Sequence, residues 1–225
     1  MEVWYRLISL LIGYGFGLFQ TAIVIGKIQG FDIRKVGSGN AGTTNMLRTK
    51  GAKDALLTLI GDFMKAVCAV LIVQAVFADR APQMLVLLKM YAGVGAVLGH
   101  DFPFYLHFKG GKGVATTAGV IAAISPLAGI LCIVVFFVLF FSIHLVSVCS
   151  LSAYSFFFFQ VLVLGVFGRF HMAVPYVTEV DILAAVLTGL CFWQHRSNIR
   201  RLMRGEEKKV YLHRSLNEEV QRGRR

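Results

Sequence analysis

Residues 37–48 read GSGNAGTTNMLR and combine the residue types that commonly surround a bound phosphate. Glycines at three positions let the backbone come close to a ligand, and the polar side chains offer donors for phosphate or carbonyl oxygens. The candidate ligand-binding side chains are Ser38, Asn40, Asn45 and Arg48. A merely flexible linker needs neither an arginine nor two asparagines, so this stretch predicts a binding site for an oxyanion.

A second polar segment, residues 99–117, reads GHDFPFYLHFKGGKGVATT. Its candidate anion-binding residues are Lys109, Gly110, Gly111, Lys112 and Gly113. Because an apolar run follows, free backbone N–H groups, a helix N-terminus and ammonium groups can converge there on an anion. The GxxxxGK[ST] pattern is absent, which argues against a nucleotide-hydrolysing P-loop. A flexible interfacial turn with a snorkelling lysine is the plainer alternative.

A third polar segment, residues 195–207, reads HRSNIRRLMRGEE and follows the last apolar run. His195 and Asn198 lie three residues apart and share one face of a helix, which pairs a titratable ring with an amide beside the membrane. The arginines of this segment are interpreted as ordinary membrane-surface anchors.

Two ionisable residues, Asp62 and Lys65, lie inside an apolar run with helical i, i+3 spacing. Ionisable groups at such depth are costly and usually face a polar interior. They are therefore candidate supports of the site, and two roles stay open: an internal ion pair that fixes helix packing, or direct contact with a substrate.

The composition indicates a polytopic membrane protein, since 56% of the residues are hydrophobic and only 16% are charged. The net charge of +11 does not indicate nucleic acid, because most of the basic residues fall in 27–53, 109–112 and the stretch from residue 196 onward. The positive-inside rule places these three segments on the cytoplasmic side. The four cysteines show no CxxC spacing, so neither disulfides nor a zinc site is indicated.

Apolar runs cover about 4–26, 55–78, 84–99, 113–143, 150–168 and 177–194. With the basic segments inside, the chain must cross the membrane an odd number of times, so one of these six runs is double. The 113–143 run is long for one span, and Ser125-Pro126 is a natural break. The alternative is one kinked, tilted helix with a re-entrant segment elsewhere.

The predicted fold is therefore an all-α polytopic membrane protein with seven transmembrane helices, one of them short. The N-terminus lies outside, and the polar loops, including one at 144–150, lie on the cytoplasmic side. The chain divides into a membrane domain, residues 1–205, and a basic cytoplasmic tail, residues 206–225.

The three segments, in this order, resemble the motifs of the bacterial acyl-phosphate:glycerol-3-phosphate acyltransferases, the PlsY family. They resemble GSGNxGxTNxxR followed by D-x-x-K in the next span, GHxFPxxxxFKGGKGVAT, and HRxNIxRLxxGxE. The resemblance covers residues 37–207 and aligns Glu207 with the family's glutamate. Departures are Thr43, Ala66 and the HLVS sequence at 144–147, where the family often has alanine, glycine and RYVS.

The resemblance implies a multi-pass enzyme of the bacterial inner membrane that transfers a fatty acyl group from acyl phosphate to the sn-1 hydroxyl of glycerol 3-phosphate. The products are lysophosphatidic acid and phosphate, and the reaction requires no metal, nucleotide or other cofactor. Its partners are the two substrates and membrane lipids, without nucleic acid, and a monomer is expected.

Residue roles are assigned with this resemblance in hand. The catalytic group comprises His195, Asn198 and Ser38. The acyl-phosphate group comprises Ser38, Asn40, Gly110, Gly111, Lys112 and Gly113. The glycerol-3-phosphate group comprises Asn45, Arg48, Lys109, Ser147 and Asn198. The structural supports are Asp62, Lys65 and Glu207.

Two alternatives remain at the level of sequence. His195 either positions the attacking hydroxyl or takes its proton, and a phosphate oxygen of the substrate is the competing base. A small transporter or channel for a phosphorylated metabolite is the competing class of protein. The absence of an inverted repeat and the clustering of the polar segments on one side argue against transport.

Overall fold

The computed structural model describes residues 1–212 and Asn217, and this part of the chain is helical without strands. Its α-helices are α1 (Glu2–Gly17), α2 (Thr21–Ile28), α3 (Thr43–Thr49), α4 (Ala52–Phe77), α5 (Leu85–Asp101), α6 (Val114–Ile124), α7 (Pro126–Ile143), α8 (Val146–Val166), α9 (Val174–Gln194) and α10 (Arg196–Met203). Among the described residues, six helical stretches are long and apolar enough to span a membrane, and α1 and α2 together form the first of them. The shorter apolar helix α6 completes the predicted set of seven.

Successive membrane helices run in alternating directions, which brings the polar connections together. The segments 29–51, 102–113, 144–145 and 195–212 all lie at one end of the bundle, here called the polar end. This arrangement follows because two membrane helices separate each of these segments from the next. All three polar motifs of the sequence therefore reach one surface of the molecule.

The break at Ser125-Pro126 is confirmed. Helix α6 ends at Ile124, Ser125 is extended, and Pro126 begins α7. The Ser125 hydroxyl accepts a hydrogen bond from the Ala128 N–H at 3.4 Å and so caps the new helix. Proline has no N–H to donate and tolerates the first helical turn. One kinked helix over 113–143 is therefore the wrong alternative.

The first span differs from the predicted continuous helix, because the chain leaves helical geometry between α1 and α2. Gln20 is extended and buried there, and its amide donates to the His100 carbonyl oxygen at 3.0 Å. Lipid cannot satisfy the backbone groups that such a break releases. A protein donor does so here, since Lys65 Nζ reaches the carbonyl oxygens of Gly17 and Phe19 at 3.2 and 2.6 Å.

The predicted loop at 144–150 is much shorter in the structure. Only His144 and Leu145 separate α7 from α8, and His144 takes a left-handed conformation with φ 58°. Ser147 consequently lies in the first turn of α8, where it is buried. A tight helical hairpin thus delivers this side chain to the polar end.

Small residues allow α1 and α5 to pack closely. A Cβ atom added to Gly13 would collide with the main chain of Ala92, and one added to Gly95 would collide with the main chain of Leu10. Close backbone approach through glycine is a common mode of helix association in membranes. It places α5 in the centre of the bundle, directly behind the polar end.

An ion pair fastens the helices at the opposite end. Arg6 of α1 makes two hydrogen bonds of 2.8 Å to Glu179 of α9, and the Tyr91 hydroxyl of α5 donates to the same carboxylate at 2.5 Å. A bidentate arginine–carboxylate pair restricts geometry as well as contributing energy. Three helices are therefore held together away from the polar motifs.

Candidate functional site

Asn45 organises the glycine-rich turn of the first motif. Its side chain is buried, and Oδ1 accepts a hydrogen bond from the Ser38 N–H at 2.9 Å. Its Nδ2 donates to the carbonyl oxygens of Ile33, Val36 and Asn40 at 3.0 to 3.1 Å. The amide is thus fully engaged in shaping the turn, so we assign Asn45 a supporting role. Its predicted contact with glycerol 3-phosphate stays a prediction.

Arg48 points from α3 toward the third motif. It lies in the last turn of this short helix, and Nη2 donates to the Lys208 carbonyl oxygen at 3.0 Å. Its Nε is buried without a partner among the described residues. Burial lowers the pKa of the guanidinium below its ordinary value, and Arg201 acts in the same direction. A desolvated cation with an unused donor is suited to an incoming anion.

Lys112 connects the second motif to the third. Gly113, with φ 69°, caps the start of α6, so Lys112 lies directly before a helix N-terminus. Its Nζ donates to Asn198 Oδ1. Burial is the main reason that its pKa falls to about 8, and Arg201 and Arg48 lower it further against the opposing effect of Glu207. The ammonium is therefore poorly solvated and close to two other cations.

Glu207 is the hub of the third motif. Oε1 accepts hydrogen bonds from the Ser147 hydroxyl at 3.0 Å and the Asn198 amide at 2.6 Å, and Oε2 accepts one from Arg201 at 2.7 Å. Burial raises its pKa, but the three hydrogen bonds bring the net pKa below the ordinary value. The carboxylate therefore stays charged and links α8 and α10 to the segment that follows α10. Its supporting role in the site stays a prediction.

His195 has a defined tautomer. Its Nδ1 lies 2.8 Å from the carbonyl oxygen of Cys191, and a carbonyl oxygen can only accept, so the ring proton is assigned to Nδ1. Burial lowers the pKa of the imidazole to about 4, and Lys112 contributes in the same direction. The ring is therefore neutral near pH 7, and Nε2 carries a lone pair that can accept a proton.

Other predicted site residues lie apart from this cluster. The Ser38 side chain is exposed, and its hydroxyl has no hydrogen-bond partner among the described residues. Lys109 is exposed and makes no side-chain hydrogen bond or ion pair in the same part of the chain. Two residues separate it from Lys112, which is partly buried. Their proposed contacts with substrate stay predictions.

The predicted pair in the second span is confirmed. Lys65 Nζ lies 3.0 Å from Asp62 Oδ1, and the Thr21 hydroxyl donates to the same oxygen at 3.0 Å. Both ionisable side chains are buried. Of the two roles left open by the sequence, the geometry favours the internal pair that fixes helix packing.

Sequence reasoning missed two side chains that contact the predicted site residues. Arg201, interpreted as a surface anchor, pairs with Glu207, and the only signal was the six-residue spacing across the end of α10. His100 of the second motif was not singled out, although it is 3% exposed and contacts Lys65. No helical periodicity marks either contact.

The start of the predicted tail packs on the membrane domain. Val210 is fully buried, and its N–H donates to the His144 carbonyl oxygen at 2.9 Å. Glu207 also lies inside the site. The boundary at residue 205 stays a prediction, and 213–216 and 218–225 lie outside the described residues.

A family profile described as glycerol-3-phosphate acyltransferase matches residues 7–205. The chain belongs to this family. A glycerol-3-phosphate acyltransferase of Alkaliphilus metalliredigens is 38% identical over 209 residues, which cover 91% of this chain and 96% of the relative. One from Pseudomonas syringae is 39% identical over 196 residues, or 87% and 93% of the two chains.

Solved structures of PlsY, an integral membrane glycerol 3-phosphate acyltransferase, have the same fold. The crystal structure of its glycerol 3-phosphate form has a TM-score of 0.78 and 33% identity, and the match covers 92% of this chain and 96% of that one. The lysophosphatidic acid form gives a TM-score of 0.76 and 32% identity. The resemblance to the PlsY family seen in the three motifs is thereby confirmed.

The described residues also show whether side chains that could bind a metal ion lie together. Within 1–212 and Asn217, no three His, Cys, Asp or Glu side chains lie together as a metal site requires. The expectation that catalysis needs no metal stays a prediction.

Proposed function

We propose that the protein transfers a fatty acyl group from acyl phosphate to the sn-1 hydroxyl of glycerol 3-phosphate. The observation that carries this proposal is the meeting of Arg48, Lys112 and Arg201 with the single carboxylate of Glu207 at the polar end. Both substrates bring a phosphate, so a surplus of desolvated positive charge beside a membrane suits them. The products are lysophosphatidic acid and inorganic phosphate.

The acyl phosphate is held by the second motif. Lys112 and the N–H groups of residues 112 and 113 face its phosphate at the start of α6, since those of Gly110 and Gly111 donate to main-chain carbonyl oxygens. Ser38 and Asn40 of the first motif complete the contact. The acyl chain lies among the membrane helices. Phosphate is a competent leaving group, so neutralising the charge that it develops provides much of the rate.

Glycerol 3-phosphate enters from the water side. Arg48 binds its phosphate, and Asn198 and Ser147, already held by Glu207, orient it. The sn-1 oxygen forms a bond to the acyl carbon, and the bond from that carbon to the phosphate oxygen breaks. The phosphate leaves with the electron pair, and the hydroxyl proton passes to His195 Nε2.

Reconstituted vesicles test this proposal against transport. Acyl phosphate and labelled glycerol 3-phosphate are supplied outside, and lysophosphatidic acid and trapped label are measured together. We expect product formation without label trapped inside. Uptake of label without product would instead identify a transporter.

We further propose that the protein lies in the bacterial inner membrane with the polar end in the cytoplasm. Exposed Lys53, at the start of α4, lies at the polar end, and exposed Gln83 lies at the other. In a cysteine-free background, an impermeant maleimide applied to intact spheroplasts should label Gln83→Cys at once and Lys53→Cys only after permeabilisation. Labelling of both from one side would contradict this topology. The proposed enzyme acts as a monomer.

Arg48→Lys tests the glycerol-phosphate assignment. Lysine keeps the charge but loses the planar fork that grips a phosphate with two hydrogen bonds. KM for glycerol 3-phosphate should rise by about 10- to 100-fold, equivalent to roughly 1.5 to 3 kcal/mol, while KM for acyl phosphate changes less. Steady-state kinetics with each substrate varied in turn measures both.

The matched control is Arg34→Lys, since exposed Arg34 pairs with Asp32 in the same polar segment. Its kinetics should match the wild type. An Arg48→Lys enzyme with unchanged constants for glycerol 3-phosphate would mean that this arginine only anchors the helix.

A further inference from the structure

The ammonium of Lys65 is surrounded by four acceptors. It lies 3.2 Å from the Gly17 carbonyl oxygen, 2.6 Å from that of Phe19 and 3.0 Å from Asp62 Oδ1. The fourth neighbour is His100 Nδ1, at 2.8 Å. Lys65, Asp62 and His100 are 6%, 2% and 3% exposed, so the protein supplies nearly all of their polar contacts.

This contact determines the tautomer of His100. An ammonium carries three protons and no lone pair, so it can only donate to Nδ1. The ring proton of the neutral imidazole is therefore on Nε2. Asp62 Oδ1 lies 3.0 Å from the same Nζ, so the carboxylate stabilises the ammonium that donates to the ring.

The Nε2 side of the ring faces the second motif. A Cβ atom added to Gly111 would fall against His100 Nε2, at equal distances of 2.8 Å from ring carbons Cδ2 and Cε1. Equal distances place this position in the plane that bisects the ring through Nε2, on the outer side of that nitrogen. The Nε2 edge of His100 therefore occupies the space that any side chain at residue 111 would fill.

The main chain ties the same loop to the end of α5. Gly110 and Gly111 donate through their N–H groups to the carbonyl oxygens of Asp101 and His100 at 3.0 and 3.1 Å. The loop that carries Lys112 thus rests on His100 through both its backbone and its ring. The path of this loop therefore depends on the position of the His100 ring.

We propose that His100 is a positioning residue for the acyl-phosphate loop. The chain of contacts from Asp62 through Lys65 fixes its tautomer, and the ring then sets the path of 110–113, so that Lys112 and the free N–H groups meet the phosphate. This rests on the proposed function in one respect, the binding of acyl phosphate by that loop. The break in the first span has a role in this proposal, since the carbonyl oxygens of Gly17 and Phe19 accept hydrogen bonds from Lys65.

Two substitutions of His100 separate the ring's two contacts. Asparagine reproduces an acceptor near the Nδ1 position and lacks the group that reaches Gly111, whereas glutamine extends an N–H toward the Nε2 position. His100→Asn should raise KM for acyl phosphate by at least about tenfold, with kcat and KM for glycerol 3-phosphate within about threefold of wild type. His100→Gln should show a clearly smaller rise.

Gly111→Ala approaches the same contact from the loop and leaves the buried ion pair intact. It should also raise KM for acyl phosphate selectively, and the inhibition constant of inorganic phosphate should rise with it. Equal loss of kcat in all three variants with unchanged KM values would overturn the positioning role. If wild type does not use acyl phosphate at all, the proposed function fails instead, and the two failures are thereby distinct.

Discussion

Replacing Lys112 by methionine is expected to lower kcat/KM for acyl phosphate by about 100-fold, equivalent to about 2.7 kcal/mol. Methionine has a similar length but removes the charge that we propose faces the leaving phosphate. The ammonium is partly buried and donates to Asn198, so water does not replace it well. The loss should be larger than for any exposed lysine of the polar end.

The pH dependence gives this prediction a second measurement. The pKa of Lys112 is lowered to about 8, so the charged form dominates below pH 8 and is lost as the pH rises through that value. KM for acyl phosphate should therefore be constant below neutrality and rise above pH 8. Lys112→Arg keeps its charge over this range and should abolish the rise.

Lys53→Met is the control, because it removes one exposed positive charge from the same end of the bundle. It should leave both Michaelis constants nearly unchanged. A Lys112→Met enzyme that matches this control would remove Lys112 from the acyl-phosphate site.

His195→Ala is expected to reduce kcat by about 100- to 1,000-fold even when both substrates saturate, as removal of a general base does. Its Nδ1 proton is directed at the Cys191 carbonyl oxygen, so Nε2 is the nitrogen that we propose accepts the proton of the attacking hydroxyl. Because the pKa of His195 is about 4, kcat should not show a histidine inflection between pH 6 and 8. Single-turnover and steady-state rates measure the effect.

His171→Asn is the matched control, since exposed His171 lies at the end of the bundle away from the motifs. It should turn over at the wild-type rate. A His195→Ala enzyme that keeps kcat within about threefold would assign proton transfer to a phosphate oxygen of the substrate.

Much of the membrane architecture could be predicted from sequence. Apolar length sets the spans, and the proline after Ser125 removes an N–H that a continuous helix would use. The interruption between α1 and α2 could not be predicted in this way, since Leu18 and Phe19 are as apolar as their neighbours. It depends on donors from Gln20 and Lys65, which are remote partners that no local pattern contains.

The candidate site was predictable as a set of segments but less so as contacts. Sequence spacing does not distinguish Lys109 from Lys112. The two lysines differ in how far their side chains are buried, which depends on the tertiary structure. The sequence predicted both Asn45 and Arg48 as ligand-binding groups, yet the Asn45 amide makes its hydrogen bonds within the glycine-rich turn. In the sequence, Arg201 does not differ from the other basic residues near the membrane. Its ion pair with Glu207 depends on the fold of the chain after α10.

The most direct test of the central claim is a comparison of acyl donors with the purified protein in detergent and a chelator. Acyl phosphate, acyl-CoA and acyl carrier protein with the same chain are offered with glycerol 3-phosphate, and lysophosphatidic acid and phosphate are quantified. We expect the two products in equal amounts from acyl phosphate and almost none from the thioesters. Faster turnover with acyl-CoA, or activity only after a metal is restored, would contradict the claim.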